Sequence, residues 1–199
     1  DSEVYLKMQD LLSQFSKSEP AFFKAASELL SRGARVFLGN SLPIREWDLA
    51  AQFSDDSEAT FAGNRGVNGI DGVVSTFLGW CSPDKENVLI LGDLSALYDL
   101  AGLWPASQGW VPAFKIIVIN NGGGKIFRPM FKDPIFENPH RLEFSKWAEL
   151  FGIDYRVVQS PTELRSAWLS VGPVISEVQP EEAATQEFYT AYENLIASV

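Results

Sequence analysis

The chain of 199 residues has 16 basic against 26 acidic side chains, a net charge of −10, with 46% hydrophobic and 21% charged residues. That balance suits one full-sized globular domain and excludes disordered and collagen-like structure; no apolar run nears the roughly 20 residues that span a bilayer, so no stable membrane insertion is expected. So acidic a surface repels nucleic acid and anionic lipid, and any anionic ligand must be held by a local device.

The chain opens on Asp1-Ser2-Glu3-Val4, without the basic and apolar stretches of a secretory signal and without a methionine, as expected for a piece of something longer. Residues 3–16 read as a terminal helix, so 1–18 is taken as an N-terminal helix or linker and 19–199 as the domain proper. Glu19-Pro20 starts a helix over 20–32, with Phe22, Phe23, Ala26, Leu29 and Leu30 at helical spacing and Gly33 as its C-terminal stop. Apolar runs then predict strands at 34–39, 87–91, 114–119 and 173–178, with weaker ones at 58–62 and 154–158. Helical patterns fall between them at 69–80, 95–103, 144–151 and 161–170, and a last helix covers 181–197. Strand and helix alternate, and the strands are continuously apolar. The expected fold is therefore α/β, a doubly wound and mostly parallel sheet with helices on both faces. Ligands of that class sit beyond the carboxyl ends of the strands.

Two residues invite a catalytic reading and receive a plainer one. Cys81, the single cysteine, follows an apolar stretch and precedes Ser82-Pro83, as a small buried residue at a helix end does. One cysteine permits no internal disulfide and fits a reducing cytoplasm. His140, the single histidine, follows Asn138-Pro139 and reads as a surface loop residue; the chain lacks the several His or Cys ligands that zinc sites use.

The chemistry gathers at two strand ends. The strand at 87–91 runs into Gly92-Asp93-Leu94-Ser95, and that at 114–119 into Asn120-Asn121-Gly122-Gly123-Gly124. The stretch 95–113 is long enough for a parallel crossover, which sets Asp93 and Asn121 side by side at one sheet edge. A carboxylate and an amide oxygen are the hard ligands magnesium takes, and a carbonyl from the glycine run can add a third. Glycine reaches cheaply the dihedrals that turn a carbonyl inward, and Ser95 opens a helix whose amides favour an anion. The plainer alternative makes Asp93 a helix cap and the glycines a flexible loop.

Gly-Asp followed by Asn-Asn resembles the signature of thiamine diphosphate enzymes, and Gly-Asp-Leu-Ser-Ala-Leu-Tyr-Asp-Leu (92–100) resembles one branch, the MenD family of 2-succinyl-5-enolpyruvyl-6-hydroxy-3-cyclohexene-1-carboxylate synthases. Gly39-Asn40-Ser41-Leu42-Pro43-Ile44-Arg45 is similar to that family's substrate-carboxylate segment. Residues 64–72 resemble its Asn-Arg-Gly loop, and 120–127 its metal loop. Asn121 lies 28 positions after Asp93, about one more than is usual there, and Gly122, Lys125 and Met130 depart from the family's common residues.

The resemblance implies a role for each matching residue. Asp93, Asn121 and the carbonyl of Gly123 would coordinate Mg2+ (or Mn2+), and Gly92 and Ser95 would line the diphosphate of thiamine diphosphate. Ile70 would wedge the cofactor into its bent form. Ser41 and Arg45 would grip a substrate carboxylate, Arg65 would add an anion contact, and Ile126 and Phe127 would wall the pocket. Taken singly, each arginine reads as a surface salt bridge and Ile70 as core. The implied reaction decarboxylates 2-oxoglutarate and adds the succinyl unit to isochorismate, in menaquinone biosynthesis. No catalytic residue is assigned to this chain, because the activating glutamate of such enzymes stands on a separate pyrimidine-binding domain. That domain, commonly supplied in trans within a homodimer or homotetramer, is the expected partner, and the chain alone is expected to be inactive. Two other readings are the equivalent domain of another thiamine diphosphate 2-oxoacid decarboxylase or acetolactate-synthase-like enzyme, and a non-catalytic module that binds Mg-diphosphate. Ser41, Arg45 and Leu94 argue against the first.

Overall fold

Six apolar runs form β1 (Arg35–Leu38), β2 (Thr60–Ala62), β3 (Asn87–Gly92), β4 (Lys115–Ile119), β5 (Asp154–Val158) and β6 (Val174–Val178). They make one sheet in the order β2-β1-β3-β4-β6-β5, and every pairing is parallel. The computed structural model describes residues 2–53, 56–66, 69–131 and 133–198. Val67 and Asn68, within the loop matched at 64–72, lie outside the described residues.

Successive side chains of a strand leave opposite faces, and both faces of this sheet are apolar. Val36, Leu38, Val88, Ile90, Ile117 and Ile119 belong to one buried cluster, while Phe37, Leu89, Leu91, Ile116 and Val118 belong to a second. Helices cover both faces, which is why the strands read as continuous apolar runs. On the first face lie α1 (Ser2–Gln14), α2 (Glu19–Leu29) and α3 (Leu42–Ala50), with α8 (Pro161–Trp168) and α9 (Glu182–Ala197). On the second lie α4 (Val73–Trp80), α5 (Asp93–Leu97), the short α6 (Trp104–Ser107) and α7 (Ser145–Phe151).

The structure adjusts several expectations. α3 was not anticipated: no helix was expected between β1 and β2, yet Pro43 at the head of a helix and Trp47 and Ala50 on its buried side make the segment helical. The helix expected over 95–103 starts two residues earlier, at Asp93, and breaks after Leu97 into a 3-10 turn at Leu100–Leu103. The helix expected from 69 begins at Val73, behind the left-handed Gly72. α1, taken as a helix or linker, packs Met8 and Leu12 into the first cluster and lies against α9. Among the described residues, no helix is long and apolar enough to cross a membrane.

Candidate cofactor and metal site

After β1 the chain moves outward to β2, and after β3 it moves the other way to β4. The carboxyl ends of β1 and β3 therefore flank a switch point, where an open parallel sheet leaves a crevice. A cavity of about 290 Å3 occupies it. Its walls include all the residues singled out above: Ser41, Arg45, Arg65 and Ile70 from the β1 side, Gly92, Asp93 and Ser95 after β3, and Asn121, Gly123, Ile126 and Phe127 after β4.

Asp93 is the first residue of α5 and only 2% exposed. Its Oδ1 accepts the N–H of Leu94 at 2.7 Å, and its Oδ2 accepts the N–H groups of Gly122 and Gly123, both at 2.9 Å. One carboxylate thus binds the β3 end to the β4 loop. Burial pushes this carboxyl above its usual range, opposed by the Leu94 N–H, by His140 and by the Gly123 and Gly122 N–H groups.

His140 is not the surface residue its sequence context predicts. Its side chain is 11% exposed and its Nε2 lies 3.1 Å from Asp93 Oδ2, close but without an aligned hydrogen bond. The cause is local. The His140 N–H donates to the Gly122 carbonyl, folding the loop back over the glycines, and the Leu142 N–H donates to His140 Nδ1.

Asn121 follows the β4 end. Its Nδ2 donates to Glu19 Oε2 at 2.9 Å, while its Oδ1 is buried and has no partner among the described residues. Unsatisfied buried acceptors are rare and costly. An amide oxygen left open in the same cavity as a held carboxylate is the donor pair that a hard divalent cation takes. The Gly123 carbonyl accepts from the Lys125 N–H and keeps a second lone pair. Gly123 has φ +142°, and a Cβ there would collide with the Glu137 carbonyl, so only glycine fits. No cluster of three or more His, Cys, Asp or Glu able to hold a metal occurs among the described residues. The carboxylate, amide and carbonyl oxygens present are of the kind that a hard, oxygen-ligated ion such as Mg2+ takes.

The other wall is cationic. Ser41 takes a positive φ of 77°, unusual for a residue with a side chain, and Arg45 Nη1 donates to its carbonyl at 2.7 Å. Arg65 Nη1 donates to Asn40 Oδ1 at 3.1 Å. Among the described residues neither arginine pairs with a carboxylate. Both line the cavity with charge to offer. Lys125 differs: its Nζ pairs with Glu137 Oε2 at 2.7 Å, so its charge is already compensated.

Sequence reasoning missed three residues here. Asn40 Nδ2 donates to the carbonyls of Asn64 and Gly69, joining the β1 end to the loop that bears Arg65 and Ile70. Glu19 and Glu46 are 3% and 1% exposed, and Tyr189 Oη donates to Glu46 Oε1 at 2.6 Å. Burial raises both carboxyls, with the Asn121 hydrogen bond opposing the shift at Glu19. A buried acid looks like a surface acid in sequence; only their place on the inner sides of α2 and α3 marks them. Cys81 sits where expected, at the C-terminal end of α4, half-buried, its thiol pushed up to about 12 by burial.

A parallel sheet with this crevice is the fold of a domain of thiamine diphosphate-dependent enzymes. The chain superposes on the Rhodococcus jostii RHA1 thiamine diphosphate-dependent 4-hydroxybenzoylformate decarboxylase with a TM-score of 0.60, at 20% identity, over 82% of this chain and 32% of that one. Sequence relatives narrow the class. The 2-succinyl-5-enolpyruvyl-6-hydroxy-3-cyclohexene-1-carboxylate synthase of Bdellovibrio bacteriovorus is 43% identical over 98% of this chain and 37% of its own length. The Enterococcus faecalis protein of the same name is 34% identical over 100% of this chain and 35% of its own. The chain belongs to this family, and it spans little more than a third of these relatives' length. No family model matches the chain.

Proposed function

We propose that this chain is the C-terminal, diphosphate- and magnesium-binding domain of a thiamine diphosphate-dependent synthase that decarboxylates 2-oxoglutarate and adds the succinyl unit to isochorismate in menaquinone biosynthesis. One observation carries the reading most directly. The unpartnered Oδ1 of Asn121 shares a cavity with Asp93, whose carboxylate two glycine amides hold in place.

Asp93, Asn121 and the Gly123 carbonyl hold Mg2+, and Gly92 and Ser95 border the diphosphate. Ile70, which lines the same cavity, would pack against the cofactor. When bound, the cofactor supplies the electron sink for the loss of carbon dioxide; the chain supplies position and charge. Arg45 and Arg65, free of carboxylate partners among the described residues, suit substrates that carry carboxylates, because a planar guanidinium binds them bidentately. The Arg45 hydrogen bond to the Ser41 carbonyl places its fork at the cavity wall. Ile126 and Phe127 would wall the same cavity.

The glutamate that activates the cofactor belongs to a pyrimidine-binding domain, in trans, within a homodimer or homotetramer. Alone, the chain turns nothing over. The compartment that suits it is the cytoplasm, in keeping with a single cysteine, Cys81.

The test is calorimetry of thiamine diphosphate with and without Mg2+, on this chain joined by its pyrimidine-binding partner. Asp93→Ala removes the one formal negative charge among the proposed ligands and should abolish the metal-dependent part of the affinity. Unchanged affinity would remove the site.

A further inference from the structure

We infer that Glu19 is a positioning residue for the metal loop: it fixes the side-chain amide of Asn121 so that its oxygen, and not its nitrogen, faces the cation. The inference rests on the metal site proposed above and adds the residue that orients one of its ligands.

An asparagine amide has a donor end and an acceptor end of nearly the same shape, and only its partners decide which way it points. Glu19 Oε2 accepts from Asn121 Nδ2 at 2.9 Å, across 102 positions of sequence. With the nitrogen taken, Oδ1 is left buried and unpartnered, in the cavity that Asp93 also lines. A reversed amide would set oxygen against carboxylate on one side and offer a cation an N–H on the other. Glu19 thereby selects the only orientation that can coordinate.

Glu19 is itself held. Its backbone N–H donates to Thr185 Oγ1 of α9 at 3.0 Å. Behind it lies Glu46, whose Oε1 accepts from Tyr189 Oη. Glu19 Oε1 and Glu46 Oε2 are both buried and have no partner among the described residues. α9, α3 and α2 thus form a line of contacts ending on Asn121. A buried acid pair is costly to keep, because burial disfavours its charged form. Orientation of a metal ligand accounts for keeping it.

The experiment titrates Mn2+ into this chain joined by its pyrimidine-binding partner in the presence of thiamine diphosphate, follows water proton relaxation, and records thermal midpoints alongside. Glu19→Met keeps the shape but removes the acceptor. It should weaken Mn2+ roughly 10- to 100-fold, the usual effect of losing an outer partner of a ligand, and lower the midpoint modestly, because the Asn121 Nδ2 loses its acceptor. Glu19→Gln retains an acceptor oxygen and should stay within about threefold of the wild type, rescuing the loss. In wild-type protein the Asn121 Nδ2 protons should also remain slow to exchange when Mg2+ is added, a measurement that needs no variant. Asp93→Ala losing affinity while Glu19→Met keeps it would overturn the inference and leave the site standing. Fast exchange of the Asn121 amide in the Mg2+-loaded wild type would overturn it too. Asp93→Ala binding as tightly as wild type would overturn the site and the inference together.

Discussion

The backbone N–H of Gly123 donates to Asp93 Oδ2 at 2.9 Å, although 30 positions separate the two residues. The bond requires Gly123 at φ +142°, a conformation that any Cβ would drive into the Glu137 carbonyl. Gly123→Ala should therefore cost about 1–3 kcal/mol of stability, the range for a residue forced into sparsely populated backbone space. Urea unfolding measures it. A variant as stable as wild type would show that the loop tolerates another path around Asp93.

The outer side of the same loop is held by charge. Glu137 accepts from Arg128 and Lys125, and Arg128 also reaches Glu182 of α9. The Arg128 and Lys125 contacts hold the Glu137 carboxyl down, from 4.5 to about 2. A depressed carboxyl adds stability above its unfolded value and loses it as pH falls through its folded one. The contribution should thus be complete above pH 4.5 and fade toward pH 2. Glu137→Gln should be less stable than wild type at pH 7, by about 1 kcal/mol once solvent screening is counted, and the gap should close in acid. A gap independent of pH would place the effect in packing.

Much of this fold is legible in sequence because its strands are buried on both faces. Val88 to Leu91 and Ile116 to Ile119 are all within 2% of full burial, and such runs announce themselves. That Asp93 and Asn121 border one cavity was legible because each stands within two residues of the end of such a run. α3 was not, since its helix draws on Trp47 packing against the core. His140 was misjudged because burial came from a loop folding back onto Gly122, a tertiary contact with no local signal. Glu19 was read correctly as a helix start and no further; its carboxylate meets Asn121 across 102 positions of sequence, a contact with no local signal. Polar residues that serve other polar residues leave no periodicity.

Arg45 bears on substrate choice. In the protein completed by its partner domain, Arg45→Ala should weaken a 2-oxo acid substrate with a second carboxylate by roughly 10- to 150-fold, the worth of about 1.5–3 kcal/mol for a charge-assisted pair. Thiamine diphosphate affinity should barely change. A wild type that uses pyruvate as readily as 2-oxoglutarate would contradict the proposed substrate.

Cys81 gives a control far from the site. With its thiol pushed up to about 12, its thiolate fraction near neutral pH should fall on the order of a thousandfold below that of a free cysteine. Alkylation by iodoacetamide in the folded protein should be correspondingly slow and should recover in denaturant. Rapid reaction in the native state would mean that the end of α4 opens readily.

The most direct measurement is anomalous diffraction from crystals soaked with Mn2+ and thiamine diphosphate. The account predicts one strong Mn2+ peak bounded by the Asp93 carboxylate, the Asn121 Oδ1 and the Gly123 carbonyl, with diphosphate density running toward Gly92 and Ser95. A peak that lies elsewhere while the cofactor is bound, or a bound cofactor with Asn121 turned so that its nitrogen faces the ion, would contradict it.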